Sequence, residues 1–421
     1  MGTDNVTLTN NSCRGTYFGI EGGWTLVDNE THTNWENGIL VNGTGSGIGP
    51  TVKNCTVGNS FGKGISVHVP NAIIAECDIS GNMADGIELA PAATNTTIQG
   101  NSINQNVGRA IIVNSDSNLV VNNQIIDNRA SGITDYFGSG NRYYGNTIRG
   151  QQLPLLSAIE ILATNVLIMP EVRNNTVAFN AGPGLFSTIV NSSGTPYVVN
   201  NIFWENNGVG EDLVGLQASD YAYNDIENNA NPTAGTGNFR ANPSFVDDLL
   251  DLHLSSASPC IDQGINSARG WMVDRDQEPR VLDGSFQGSA TVDVGADEVA
   301  VAAIAIAGSF QQGSALSITI DGPMNGTCAI VVAANAVSSP GLGFSGYDHP
   351  VFGTLLLNPA DLLSRTPYVS GLPLGPSGTI TVNATLPASF AGFHIALQGA
   401  VSAPGGSWGQ FTPLAGFQIL P

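Results

Sequence analysis

Charge is scarce in this chain. Only 11% of its 421 residues are charged, and its only lysines are Lys53 and Lys63. With a net charge of −21 it has no basic surface for a phosphate backbone, which excludes nucleic acid as a partner. The acidic excess suits cation binding and solubility outside the cell. No apolar run is long enough to span a membrane. There are five cysteines, Cys13, Cys55, Cys77, Cys260 and Cys328, and no CxxC pair, which argues against a zinc site. No GxSxG, HExxH, P-loop or strand-flanked GxGxxG is present, so the chemistries tied to those motifs are not expected. Helical periodicity is also missing. No signal peptide precedes Thr3; Met1-Gly2 reads as an added start, and the natural precursor is expected to be longer.

What the chain has instead is a repeat. Asn101, Asn123, Asn146, Asn175, Asn201 and Asn224 follow one another at intervals of 22, 23, 29, 26 and 23 residues. Two residues after each lies an apolar side chain (Ile103, Ile125, Ile148, Val177, Phe203, Ile226), and three before lies another (Ile98, Val120, Tyr143, Val172, Val198, Tyr221). Five residues after come Asn106, Asn128, Gln151, Asn180, Asn206 and Asn229. Cys77 and Cys55 extend the first column backward; the stacking spacing falls within the range for a disulfide, and two buried free thiols are the expected state. Short β-type apolar runs at such a period imply coils that stack into a solenoid, since no single coil buries its own apolar face. The expected fold is an all-β, right-handed parallel β-helix of about nine to eleven coils. An inward Asn at a bend can satisfy turn backbone and bond its neighbour in the next coil. Gly64, Gly86, Gly132 and Gly184, nine residues after the ladder position, are expected at tight bends.

The pattern changes after Phe239. The segments Asn200–Asn207 (NNIFWENN), Tyr221–Asn229 (YAYNDIENN), Gly237–Gly264 (GNFRANPSFVDDLLDLHLSSASPCIDQG), Asp274–Gly284 (DRDQEPRVLDG) and the VDVGADE run ending at Glu298 occur in order. This series resembles the closing region of bacterial right-handed parallel β-helix proteins of the pectate-lyase-like superfamily. The likeness covers the first 298 residues and is specific for fold. The relatives' DGDG step reads Asp283-Gly284-Ser285-Phe286 here. Several members of that superfamily are polysaccharide lyases or glycosidases. Beyond Val299 charge almost vanishes, and alternating runs such as Leu316–Ile320, Ala329–Val332, Gly378–Val382 and His394–Gln398 read as a small β-sandwich. The expected domains are coils over 1–238, a closing region over 239–298 and a sandwich over 299–421. No cap is visible before Val6 and Leu8, so the first coils are expected to be weakly protected and to pair end to end.

A packed solenoid does its chemistry on its outer surface. The frame places Lys63, His68, Asp85, Glu88 and Arg109 on one face across three coils, about 10 Å. The resemblance to polysaccharide lyases implies a Lys or Arg base, here Lys63 or Arg109, and calcium or another cation on a uronate, with Asp85 and Glu88 as calcium ligands and Glu88 counted with Lys63 and Arg109 in the catalytic set. His68, Asp85, Tyr136 and Tyr144 are substrate-binding candidates, with Phe137 beside them. The competing reading is a row of charges stacked for mutual neutralisation. A second acidic group, Asp274, Asp276, Glu278 and Asp283, suits calcium or the capping of turn amides, as do Asp247, Asp248 and Asp251. The expectation is an extracellular or cell-surface protein that binds a polysaccharide and, where catalytic, acts by a lyase-type mechanism. The alternative is a structural or adhesive surface protein, a subunit of an extracellular assembly among them.

Overall fold

The structure is a computed structural model. It describes all residues except 1–6, 10–11, 15–19, 23–24, 43–48, 137, 164–165, 190–193, 207–210, 286–288, 301, 310–313, 323–326, 334–346, 350–352, 356–368, 375–377, 386–393, 403–408, 413–414 and 419–421. Val6, Phe137 and Phe286 lie outside the described residues. The chain forms two compact units: Met1–His253 with Val294–Ala296, and Leu254–Asp293 with Asp297–Pro421.

In the first unit the strands pair into three parallel sheets of ten, ten and nine strands. A coil gives each sheet one short strand, for example Leu119–Val121, Gln124–Ile126 and Ile133–Asp135. Stacking keeps register: Val120 pairs with Ile98 and Tyr143, and Ile125 with Ile103 and Ile148. These inward residues are completely buried. Alternation therefore fixes which side chains leave water, at about 1.5–3 kcal/mol for each large apolar one.

Between the first two strands of each coil lie just two residues. The first is left-handed: Asn54, Glu76, Asn122, Asn174 and Asn200 have φ of +53°, +55°, +54°, +52° and +58°, and Gly145 takes +63°. Asn and Gly tolerate that conformation best. The bend aims the next side chain inward, and that residue is the ladder asparagine. Each Nδ2 donates to the Oδ1 one coil later: Asn101 to Asn123 (2.9 Å), Asn123 to Asn146 (3.0 Å), Asn146 to Asn175 (3.0 Å), Asn175 to Asn201 (2.9 Å) and Asn201 to Asn224 (2.9 Å). Asn238 continues the column (3.1 Å). The same Oδ1 accepts the preceding Asn's backbone N–H, as Asn123 does from Asn101 at 3.0 Å. The column thus satisfies corner backbone as well as itself. At its start the sulfur of Cys77 accepts the Cys55 N–H at 3.4 Å, and both thiols are free and buried.

The second column repeats the device, with a break. Asn82 donates to Asn106 (2.9 Å), Asn106 to Asn128 (2.9 Å) and Asn180 to Asn206 (2.8 Å). Gln151 interrupts it. Its Nε2 turns to the Arg149 carbonyl at 2.8 Å, and its buried Oε1 accepts no hydrogen bond. The expected last member, Asn229, is not in the column. Asn206 donates instead to Asp212 (3.0 Å), and Asn229 accepts the Leu213 N–H.

Two further points differ from the sequence reading. Gly64 and Gly86 are not left-handed. They are glycines for want of room: a Cβ on Gly64 would lie 2.6 Å from the Gly86 carbonyl oxygen and 2.6 Å from Ile79 Cγ2. A carboxylate also sits in an interior column. Asp135, opposite Val113 and Ile161, accepts the Tyr143 phenol (2.7 Å), the Asn141 amide (3.1 Å) and the Gly138 N–H (2.7 Å). Later, Gly295 and Ala296 donate to the Asn200 carbonyl and Thr176 hydroxyl, both at 2.9 Å, so part of the VDVGADE run is tied onto the coils.

In the second unit, Ala303–Gly308, Ala315–Asp321 and Thr379–Thr385 form one antiparallel sheet. Thr327–Ala333, Val369–Pro373, His394–Ser402, Gly409–Phe411 and Ala415–Gln418 form another. Leu316, Ile318 and Ile320 share one core with Ile330, Leu397 and Val401, which is the packing of a small sandwich.

The ladder makes two predictions. Asn123→Leu removes an acceptor of two bonds and strands buried partners, so denaturant unfolding should show a loss of about 1–3 kcal/mol. Gln151→Asn restores the missing rung and should gain about 0.5–1.5 kcal/mol in the same measurement. No change in either variant would refute the column energetics.

Candidate functional site

The outer face of the third sheet carries the expected polar groups. Register stacks Ser66, Glu88, Ile112, Thr134 and Glu160 in one outward column on successive coils. The turn residues entering these strands supply Lys63, Asp85 and Arg109, and the residues leaving them supply His68 and Tyr136.

Four of these side chains form a connected network. Lys63 Nζ lies 2.5 Å from Glu88 Oε2, and the Ser66 hydroxyl donates to the same oxygen at 2.8 Å. The His68 Nε2 lies 2.9 Å from the Ser66 hydroxyl. Burial raises the Glu88 carboxyl, but the Lys63 and Ser66 hydrogen bonds and the Lys63 charge outweigh it, so the group ends below its ordinary value. Glu88 is an anion held by a cation and a hydroxyl.

A second pair lies further along the axis. Arg109 donates to the Tyr136 phenol at 2.8 Å, its guanidinium 5.6 Å from the ring centroid. Asp85 accepts the Arg109 backbone N–H at 2.8 Å, so it caps a turn. Beyond, Thr134 donates to Glu160 at 3.0 Å, both buried. The 29-residue spacing of that coil displaced Glu160 from the repeat frame, though its alternation between Ile159 and Ile161 marks it as outward. Tyr144 is elsewhere. On the first sheet its hydroxyl donates to Glu171, Glu171 pairs with Arg173 at 3.0 Å, and Arg173 lies over both Tyr144 and Tyr197. It does not flank the Arg109 face.

The acidic group of the closing region lies in the second unit. Asp274, Glu278 and Asp297 bring one carboxylate oxygen each within 4.8 Å of one another. Buried Asp283 is not among them, and Asp85 and Glu88 join no group of three donors among the described residues. The Asp274 oxygens accept the backbone N–H groups of Asp276 (3.0 Å), Glu278 (2.9 Å) and Glu298 (3.1 Å). Asp247 likewise caps Leu249 and Leu250, and Asp251 caps His253. Burial, then the Asp297 charge, pushes Asp274 up to about 7, against the pull of Arg280. Burial, then Asp274 and Asp297, pushes Glu278 up to about 9. Asp293 and Glu298 are also raised well above the ordinary carboxylate range, chiefly by burial.

No curated protein matches the chain. Residues 14–165 match the family described as "Right handed beta helix region". The structure is similar to the periplasmic alginate epimerase AlgG (16% identity, 51% of each chain, TM-score 0.40). It is also similar to the A-module of the Azotobacter vinelandii mannuronan C-5 epimerase AlgE6 (17%, 52% of this chain and 66% of that one, TM-score 0.40). A third is tailspike protein 2 from an Escherichia coli O157:H7 bacteriophage (10%, 97% of this chain and 64% of that one, TM-score 0.32). The chain spans about half the length of the AlgG chain it matches. At these identities the likeness is one of fold.

Carboxyls raised in the folded state bind more protons folded than unfolded. Their stabilising contribution is full below the ordinary carboxylate value near about 4 and is lost as pH rises through about 7 and about 9. The thermal transition of the closing region should therefore fall between about pH 5 and about pH 9. Asp274→Asn should flatten the slope; a transition that rises over this interval would contradict the burial argument.

Proposed function

We propose that this protein binds an acidic polysaccharide on the outer face of its third sheet, outside the cytoplasm, and that catalysis there is a lyase-type elimination. The Lys63–Glu88–Ser66–His68 network carries the reading. Lys63, Ser66 and His68 on one coil, Glu88 on the next and Arg109 on the one after offer a linear glycan polar contacts on three rungs, about 4.8 Å apart. Lys63 and Arg109 suit a uronate carboxylate, and the Tyr136 ring offers an apolar surface to a sugar. Elimination takes the proton from the carbon next to the carboxylate, forms a carbon–carbon double bond and expels the glycosidic oxygen, which takes up a proton from water to leave as an alcohol. We assign the proton to His68, whose exposed imidazole lies 2.9 Å from the Ser66 hydroxyl. Lys63 and Arg109 were the bases expected from the resemblance. Both are engaged as donors, to Glu88 and Tyr136, and are assigned here to the carboxylate. The metal donor set fits calcium in kind, being all carboxylate, and its residues would be Asp274, Glu278 and Asp297. No step of the elimination runs through them.

A non-catalytic surface protein is the second reading. The pairing of Lys63 with Glu88 favours it, because a neutralised pair asks for no ligand.

Binding to a panel of uronate and neutral polysaccharides, with ultraviolet absorbance of unsaturated product, separates the two. Parent protein should bind a uronate polymer. His68→Ala should abolish product while retaining binding. Arg109→Ala should weaken binding about tenfold, or about 1.4 kcal/mol. His68→Ala, an exposed change, should melt within about 0.5 kcal/mol of the parent, and Arg109→Ala, which gives up the Tyr136 hydrogen bond, should lose about 1 kcal/mol. Absence of binding across the panel would leave the surface-protein reading.

A further inference from the structure

The corner between the second and third sheets carries an apolar stripe that the fold does not require. Trp35, Phe61, Met83 and Val107 each follow a second-column position. Their backbone contacts put them on successive rungs: Phe61 N–H to Asn34 (2.8 Å), Met83 to Ser60 (2.8 Å) and Val107 to Asn82 (2.9 Å). They are 63%, 55%, 56% and 37% exposed. The rings of Trp35 and Phe61 stack, centroids 5.0 Å apart and 11° from parallel. On the next rungs the same position holds Arg129 and then Gln152, tied by the same bonds to Asn106 and Asn128. The site therefore accepts polar residues, and nothing in the coil demands Trp, Phe or Met. Contiguous exposed apolar surface of this kind marks an interaction site.

The stripe runs into a cleft of about 330 Å³ lined by Gln105, Val107, Asp127, Arg129 and Gln152. That is within the usual size of a ligand site, about 300–1,000 Å³. Arg129 is exposed and makes no ion pair among the described residues, in a chain of net charge −21.

We propose that this corner is a second binding edge for the acidic polysaccharide, separate from the third-sheet face. The occupant follows from the chemistry. The exposed Arg129 guanidinium can take a carboxylate or sulfate, the Asp127 carboxylate and the two glutamine amides suit sugar hydroxyls, and the apolar surface receives the C–H faces of sugars. The spacing of the rungs is close to the length of one pyranose, so an extended glycan can lie along the stripe and place one acidic sugar in the cleft. The edge extends the grip on a long chain without touching the reacting sugar. The class of ligand rests on the proposed function; the existence of the edge does not.

The test is calorimetric binding of a uronate polymer, a short uronate oligosaccharide and a neutral glucan to three full-length proteins: the parent, Phe61→Ser with Arg129→Gln, and His68→Ala with Arg109→Ala. The edge variant should bind the polymer at least about tenfold more weakly than the parent, while the oligosaccharide on the third-sheet face is unaffected and the glucan binds neither. Polymer binding by the edge variant equal to the parent's overturns the edge and leaves the face intact. Polymer binding lost in the edge variant but unchanged in the face variant supports the edge and overturns the third-sheet site. Light scattering supplies the last outcome: a parent dimer that Phe61→Ser with Arg129→Gln dissociates makes the stripe a self-association surface and overturns the glycan edge.

Discussion

Everything in the first unit depends on the buried amide at the corner of each coil. A chain that turns inward every 22 to 29 residues leaves backbone N–H groups facing a dry interior, where an unmet donor costs about 1–3 kcal/mol. A neutral amide with one acceptor and two donor hydrogens meets that need without a buried charge. Each Oδ1 takes a backbone N–H and a side-chain N–H from the coil before, and each Nδ2 passes a bond to the coil after. The bonds all run in one direction, so one coil's geometry constrains the next. Serine, cysteine or glutamine stands in at Ser60, Cys77 and Gln151, and the last two show what substitution costs: a longer sulfur contact, and a buried oxygen left bare.

With the inside fixed by the columns, the outside is free to vary coil by coil. Neighbours on the surface are therefore residues one period apart, not residues close in sequence. Lys63 meets Glu88 and Ser66 meets the same carboxylate because each coil presents the same position one rung along. The same rule builds the apolar stripe at Trp35 and Phe61. A column can change character within one rung, from Val107 to Arg129, at no cost to the core.

The closing region solves the backbone problem with buried carboxyl groups. Asp274, Asp293 and Glu298 accept turn N–H groups in the interior, where the coils would use an amide. The charge of Arg280, itself almost completely buried, offsets only part of the effect of burial on them. Carboxyls under such burial hold their protons well above the usual range, and this makes the region sensitive to pH while the amide ladders are not.

The ladder, the inward columns, the sandwich strands and the stacked outer face were all legible in the residues, because a fixed period converts sequence position directly into rung and facing. Asn123 and Val120 could be placed without coordinates for that reason. The period could not say what a side chain does once it is on the surface. Asp85 has the spacing of a ligand, yet it caps the Arg109 amide; Tyr144 has the composition of a groove residue, yet it stands on another sheet; Asn229 has the spacing of a ladder rung, yet Asp212 fills the place. Gly64 is a glycine because Gly86 and Ile79 crowd it from the next coil, not because its own backbone bends. Local pattern determined which residues face in and which face out, since that follows from alternation and period alone. Only the tertiary structure decided which of several reachable partners each polar group takes, because that choice turns on distances of a few ångströms between coils far apart in the chain.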